Sequence, residues 1–114
     1  MIRDMSVRDY PSEAVAVRRF IWRLSVWASS GVPISQAFER ETELEQNPTL
    51  RAAISDIHSH ILAGGTLSEG LATHSELFPL VFRQAVAVGE ETGTLTEALQ
   101  WANREIERDL TTRV

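Results

Sequence analysis

The stretch Gly65-Thr66-Leu67-Ser68-Glu69-Gly70-Leu71 returns further along the chain as Gly93-Thr94-Leu95-Thr96-Glu97-Ala98-Leu99. Each copy reads as one mechanical part. A glycine ends one helix, a threonine caps the next, a glutamate three residues on completes a capping box, and leucines anchor the first turn. A looser third version, Gly31-Val32-Pro33-Ile34-Ser35-Gln36-Ala37-Phe38, carries one extra residue, a proline suited to the first helical turn. Two close copies and a third relative describe a chain that repeatedly stops a helix and starts another.

Working outward, the segment from Glu13 to Ser30 places Val17, Phe20, Ile21, Leu24 and Ala28 on one helical face, and Gly31-Val32-Pro33 ends it. A second helix is expected from Ile34 to about Gln46. Asn47-Pro48 restarts the chain, asparagine as cap and proline at the first helical position, for a third helix to about Ala63. Thr66 and Glu69 open a short fourth helix lasting to about His74. Phe78-Pro79 opens the fifth, Leu80 to about Glu91, which is apolar almost all round except at Arg83 and Gln84 and is therefore expected to be the enclosed, central element. Thr94 and Glu97 cap the sixth, with Leu95, Leu99, Ala102, Ile106 and Leu110 in a stripe. No stretch alternates as a half-buried strand does. Short connections favour antiparallel neighbours, so the expected fold is an all-α, antiparallel six-helix bundle over residues 12–114, with residues 1–11 a tail or linker.

The chain has 114 residues, enough for one domain with its own core. There is no cysteine, which excludes disulfides, cysteine-ligated zinc and thiol catalysis, and fits a reducing compartment. All eleven basic residues are arginines, so Schiff-base and phosphate-loop lysines are absent too. The formal net charge of −5 opposes the phosphate backbone, and nucleic acid is not an expected partner. No apolar run approaches the roughly 20 residues needed to span a bilayer.

Gly89-Glu90-Glu91-Thr92-Gly93 is the segment most suggestive of function. Adjacent helical residues point about 100° apart, so Glu90 and Glu91 are not expected to act together as acid and base. They are weak candidates for metal, with calcium the fitting cation, but such sites take six or more oxygens and the calcium-loop spacing is missing. The remaining readings are solvated turn residues, one of them bonding backbone amides of the next helix, or a protein contact.

His58 and His60 lie about 200° apart on a helix and cannot share an ion, whereas His74, at the end of a short helix, suits its negative dipole end. No nucleophile elbow or phosphate-cradling glycine loop is present, and no enzyme is expected. The acidic run Glu39, Glu41, Glu43 and Glu45, interrupted by Arg40, reads as a solvated face or a dock for a basic partner.

On the first and last helices, apolar residues off the main stripes read either as protein contact or as burial inside the domain. Val15, Trp22 and Val26 form a second apolar line on the first helix, bordered by Arg18, Arg19 and Arg23. Trp101 lies away from the stripe of the sixth helix, among Glu97, Arg104, Glu105 and Arg108; tryptophan beside arginine is typical of binding hot spots. Trp22, Arg19, Arg23, Glu90, Glu91 and Trp101 are thus the candidate interaction residues, with weak self-association through the helix-one face or Trp101. The alternative is a soluble helical regulator or nucleic-acid-binding module using Arg18, Arg19 and Arg23.

Phe20 through Phe38, Asn47-Pro48 with Leu50-Arg51, Gly65 through Ala72, His74 with Phe78-Pro79, and Val88 through Leu95 together resemble the cytoplasmic domain of the type II secretion protein F family. The resemblance covers nearly all of the chain after Ser12. It implies a six-helix antiparallel bundle without enzymatic activity, at the cytoplasmic face of the bacterial inner membrane; apart from the weak calcium candidates, no cofactor is expected. It also implies partners: copies of itself, other inner-membrane platform proteins, and a secretion or pilus motor ATPase that the platform couples to assembly of pilin-like subunits. Family members usually carry two such domains and are anchored by membrane helices. With one domain and no span, this chain is expected to be a fragment or a reduced relative, its Arg108–Val114 end facing the bilayer. Arg23-Leu24 departs from the family's tendency to glutamine before leucine, and the family motif does not predict Trp22, Trp27 or Trp101.

Overall fold

The computed structural model describes residues 12–113, with side chains as far as Asp109. The tail expected over residues 1–11, and Leu110 of the helix-six stripe, lie outside the residues so described. Six helices follow in order: α1 (Glu13–Ser29), α2 (Ile34–Leu44), α3 (Pro48–Leu62), α4 (Leu67–Ala72), α5 (Leu80–Thr92) and α6 (Leu95–Arg113). No strand occurs among the described residues.

The punctuation behaves as its chemistry dictates. Ser12 accepts from the Val15 amide at 3.3 Å and Asn47 from the Leu50 amide at 3.0 Å, capping α1 and α3. Gly31, Gly64 and Gly93 take positive φ where helices end, Gly93 at +71° as the left-handed C-cap of α5. Pro33 and Pro79 stand at the N-cap positions of α2 and α5, one residue before the first turn expected for Pro33, and neither helix has a side-chain cap there. Helix α2 stops at Leu44, earlier than its sequence pattern suggested, because Glu45 is drawn into extended backbone, where its carboxylate accepts the Asn47 amide at 3.1 Å.

The core lies where α1, α2, α5 and the segment before α5 converge. Phe20 meets Phe38 edge-on, with ring centroids 5.6 Å apart, and meets Phe78 at 6.0 Å; Phe78 in turn meets Phe82 at 6.0 Å. Such pairs add about 0.5–1.5 kcal/mol each beyond the area they bury. Ile21, Leu24, Leu50, Ile54, Ile57, Leu71 and Leu99 are fully buried around them.

The central helix is α1, which packs on α2, α3 and α6. This corrects the expectation for α5, which packs on α4 and α6 and leaves Leu80 and Val88 more than half exposed, at 56% and 57%. An apolar composition records how much surface a helix would bury, not how many neighbours are available to cover it. The helices form a circuit in which α4 links α3 to α5 and α1 meets α6.

Candidate functional site

At the turn between α5 and α6 the two helices approach closely. A Cβ on Gly89 would lie 2.8 Å from the Ala98 Cβ and 3.0 Å from the Leu95 Cα, so only glycine fits without displacing backbone. The Gly89 carbonyl accepts the amides of Gly93 and of Thr94, the latter at 2.9 Å, and this closes the turn. Glu90, half-buried, is thereby aimed at α4: its Oε2 accepts the Leu67 amide at 2.7 Å and its Oε1 the Ser68 amide at 3.2 Å.

Thr66 and Glu69 supply the rest of that helix start. The Thr66 hydroxyl accepts the Glu69 amide at 3.1 Å, and the Glu69 carboxylate accepts the Thr66 amide at 2.9 Å. Every early amide of α4 thus has an acceptor, and the carboxylates stand where the helix dipole favours them. The expected bond from Glu90 or Glu91 to backbone amides therefore runs to an earlier helix, not to the next one, because the turn at Gly93 carries α6 away while α4 lies beside the end of α5. Glu91 is exposed. Both oxygens of Glu90 are engaged, and among the described residues no three histidine or carboxylate side chains converge as a metal site.

Arg23 is turned inward. Its Nε donates to Glu41 Oε1 at 2.8 Å and Oε2 at 3.1 Å, and its Nη2 donates to Glu45 Oε1 at 2.9 Å. Trp27 Nε1 donates to the same Glu41 at 2.9 Å. Burial opposes the charged guanidinium, but the hydrogen bonds and charges of Glu41, then Glu45, outweigh it and raise the Arg23 pKa above its ordinary value. Two members of the acidic run are therefore buried partners of α1: Glu41 is wholly inaccessible and Glu45 nearly so, which corrects the reading of the run as a solvated face. The missed signal was spacing. Glu41 lies four residues from Ala37 and three from Phe38, on the buried face of α2, and Arg23 lies one turn from Phe20 and Trp27.

Trp22 and Arg19 are exposed and line a groove of about 350 Å³ between α1 and α6, with Arg18, Asn103, Ile106 and Glu107. Trp101, 45% exposed, lines a separate groove of about 430 Å³ between α5 and α6, with Val81, Ala85, Val88, Glu97 and Ala98. Helix α6 is the shared wall, so the two tryptophans belong to different surfaces. The histidines take roles the sequence reading did not foresee. His60 Nε2 lies 3.0 Å from Glu69 Oε1. His74 lies beyond the α4 C-cap at Thr73, and its Nε2 meets Asp56 Oδ2 at 2.8 Å instead of serving the dipole of α4.

The sequence model described as "Type II secretion system (T2SS), protein F" matches residues 20–114, from the first core phenylalanine through all six helices. The chain belongs to this family. Among relatives of the type II secretion protein F family, a type IV pilus assembly protein PilC of Myxococcus xanthus is 35% identical over 85 residues, covering 75% of this chain and 20% of that protein. The type II secretion system protein F of Vibrio cholerae is 28% identical over 78 residues, covering 68% of this chain and 19% of that protein. That of Xanthomonas campestris is 27% identical over 96 residues, covering 84% and 24%. The chain spans about a fifth to a quarter of the length of these curated protein F and PilC relatives. No described helix is long and apolar enough to cross a membrane.

Proposed function

We propose that this chain is a non-enzymatic scaffold domain of a platform protein of type II secretion or type IV pilus assembly, an antiparallel helical bundle at the cytoplasmic face of the inner membrane. In this role it couples a motor ATPase to the assembly of pilin-like subunits, binds other platform proteins and copies of itself, and needs no cofactor. The observation that carries the proposal is the family match running through all six helices. The use of titratable groups supports it: Glu41, Glu45, Glu90 and Arg23 hold the domain together. The exposed surfaces at Trp22 with Arg19 and at Trp101 are the contact faces of the proposal.

In-frame removal of the coding region in the source bacterium should abolish secretion or surface piliation, and the chain should co-sediment with the motor ATPase of the same system. Intact secretion and piliation together with no ATPase binding sinks the proposal. The nucleic-acid alternative is weakened because Arg23 is committed to Glu41 and Glu45, leaving Arg18 and Arg19 of its three arginines. Salt-sensitive binding to duplex DNA would revive it.

A further inference from the structure

Helix α4 is the link that closes the circuit of helices between α3 and α5, whose backbones do not approach each other directly. Two reciprocal contacts fasten it to α3. The His60 imidazole of α3 meets the Glu69 carboxylate of α4 at 3.0 Å, and the Asp56 carboxylate of α3 meets the His74 imidazole just past α4 at 2.8 Å. Each side supplies one imidazole and one carboxylate, one pair beside the start of α4 and one beyond its end. Asp56 and His60, four residues apart, lie on the face of α3 that also carries Ile57, and Ile57 packs against Gly70 of α4. The His60 ring lies where a side chain on Gly65 would stand, so this glycine keeps the place of the imidazole open.

We infer that the two imidazole–carboxylate pairs form a pH-sensitive latch, which holds α4 to α3 most firmly when both histidines are protonated and loosens the α3–α4–α5 seam as they lose their charge. Histidine changes charge between pH 5 and 8, and a charged imidazole gives each carboxylate a charge-assisted bond in place of a neutral one. The other ionisable groups around the latch do not replace it. On α5, Glu90 is engaged by the α4 amides and Arg83 Nε donates to the Phe78 carbonyl at 3.0 Å. On α2 and α1, Glu41 and Glu45 are held by Arg23. Arg51 of α3 donates to the Thr42 carbonyl; His58 and Glu76 are the remaining groups on α3 and on the segment after α4. Glu69, whose pKa is lowered chiefly by the Thr66 amide and then by His60, stays ionised to lower pH than an ordinary glutamate. On its side the latch therefore persists into mild acid.

The test is amide hydrogen exchange of the whole chain at pH 5.5, 6.5 and 8.0, with rates corrected for the intrinsic pH dependence. Protection of residues 67–73 should fall about three- to tenfold from the lowest to the highest pH, as two partly exposed pairs lose their charge component, while α6 stays unchanged. His60→Gln with His74→Gln keeps an amide donor at each place but does not titrate, and should abolish the response. Asp56→Asn with Glu69→Gln removes the charge from the other side and should flatten it as well. A response of undiminished size in either double variant, or a flat profile in the unaltered chain, overturns the latch.

Discussion

In the first copy of the repeat, Thr66 and Glu69 close a reciprocal box and Glu90 adds two bonds from α5, so the amides that begin α4 are all accepted. In the second, the Thr94 hydroxyl turns to the Thr92 hydroxyl 2.6 Å away, and the capping box expected with Glu97 is not among the hydrogen bonds of the described residues. The difference follows from what each helix must supply for itself. Helix α4 has six residues and little internal ladder, so its stability depends on its ends; α6 has 19 and a long apolar stripe. Besides Ser68 against Thr96, the copies differ at one further matched position, Gly70 against Ala98. Each belongs to a close contact, but in the first the repeat itself supplies the glycine, against Ile57, whereas in the second it supplies alanine and α5 supplies Gly89.

The largest effect should come from filling these two contacts. A side chain at Gly89 meets the backbone of Leu95, which cannot rotate away, while one at Gly70 meets side-chain atoms of Ile57 alone, the nearest at 2.9 Å. Gly89→Val should cost about 3 kcal/mol in urea unfolding, the upper range for overpacking. Gly70→Ala should stay within about 1 kcal/mol, since the gain in helix propensity offsets part of the crowding. Ala98→Gly placed in a Gly89→Ala background should recover part of the loss. A Gly70→Ala variant less stable than Gly89→Ala breaks the comparison.

Next comes the cap that joins the two copies. Glu90→Ala leaves the Leu67 and Ser68 amides without their acceptor and should cost about 2 kcal/mol, within the range for hydrogen bonds to charged groups. Its exposed neighbour gives the control: Glu91→Ala should change stability by less than about 0.5 kcal/mol. Equal losses at the two positions would remove Glu90 from its assigned place.

How much of this was legible follows the range of the interactions. Helix starts and stops at Asn47-Pro48, Thr66 with Glu69, and Gly93 were readable because capping acts within four residues of chain. The candidate surfaces were readable in part: Trp22 and Trp101 are exposed, but sequence spacing alone did not show that α6 stands between their grooves. Glu41 and Arg23 were misplaced because a run of glutamates reads as solvated until its inner face is counted and a cation from another helix is found for it. The direction of the Glu90 bond depends on the packing of α4 beside α5, which no local pattern encodes.

Smaller still is the contrast between the two threonines. Thr66→Ala removes an N-cap acceptor and should cost about 1 kcal/mol. Thr94→Ala removes a hydroxyl that bonds another hydroxyl at an exposed turn, and a change of a few tenths is expected by the range for surface substitutions. Thermal unfolding of both variants under one condition decides this. A larger loss at Thr94 would mean that α6 relies on a cap as α4 does.

The last contrast is in pH. Glu69 has a depressed pKa, first because the Thr66 amide donates to its carboxylate and then because His60 does. A depressed carboxylate binds its proton more weakly in the folded chain than in the unfolded one, so its contribution is complete above the unfolded value and is lost as pH falls through the folded value. Glu69→Gln should therefore reduce the acid-side slope of stability, narrowing the gap between variant and parent as pH drops below the ordinary glutamate range. Glu97 occupies the matching place in the second copy without the box, so Glu97→Gln is the matched substitution for the comparison. Thermal midpoints measured from pH 6 to pH 3 make the comparison, and identical slopes for the Glu69→Gln and Glu97→Gln variants would show that the box does not distinguish the two copies.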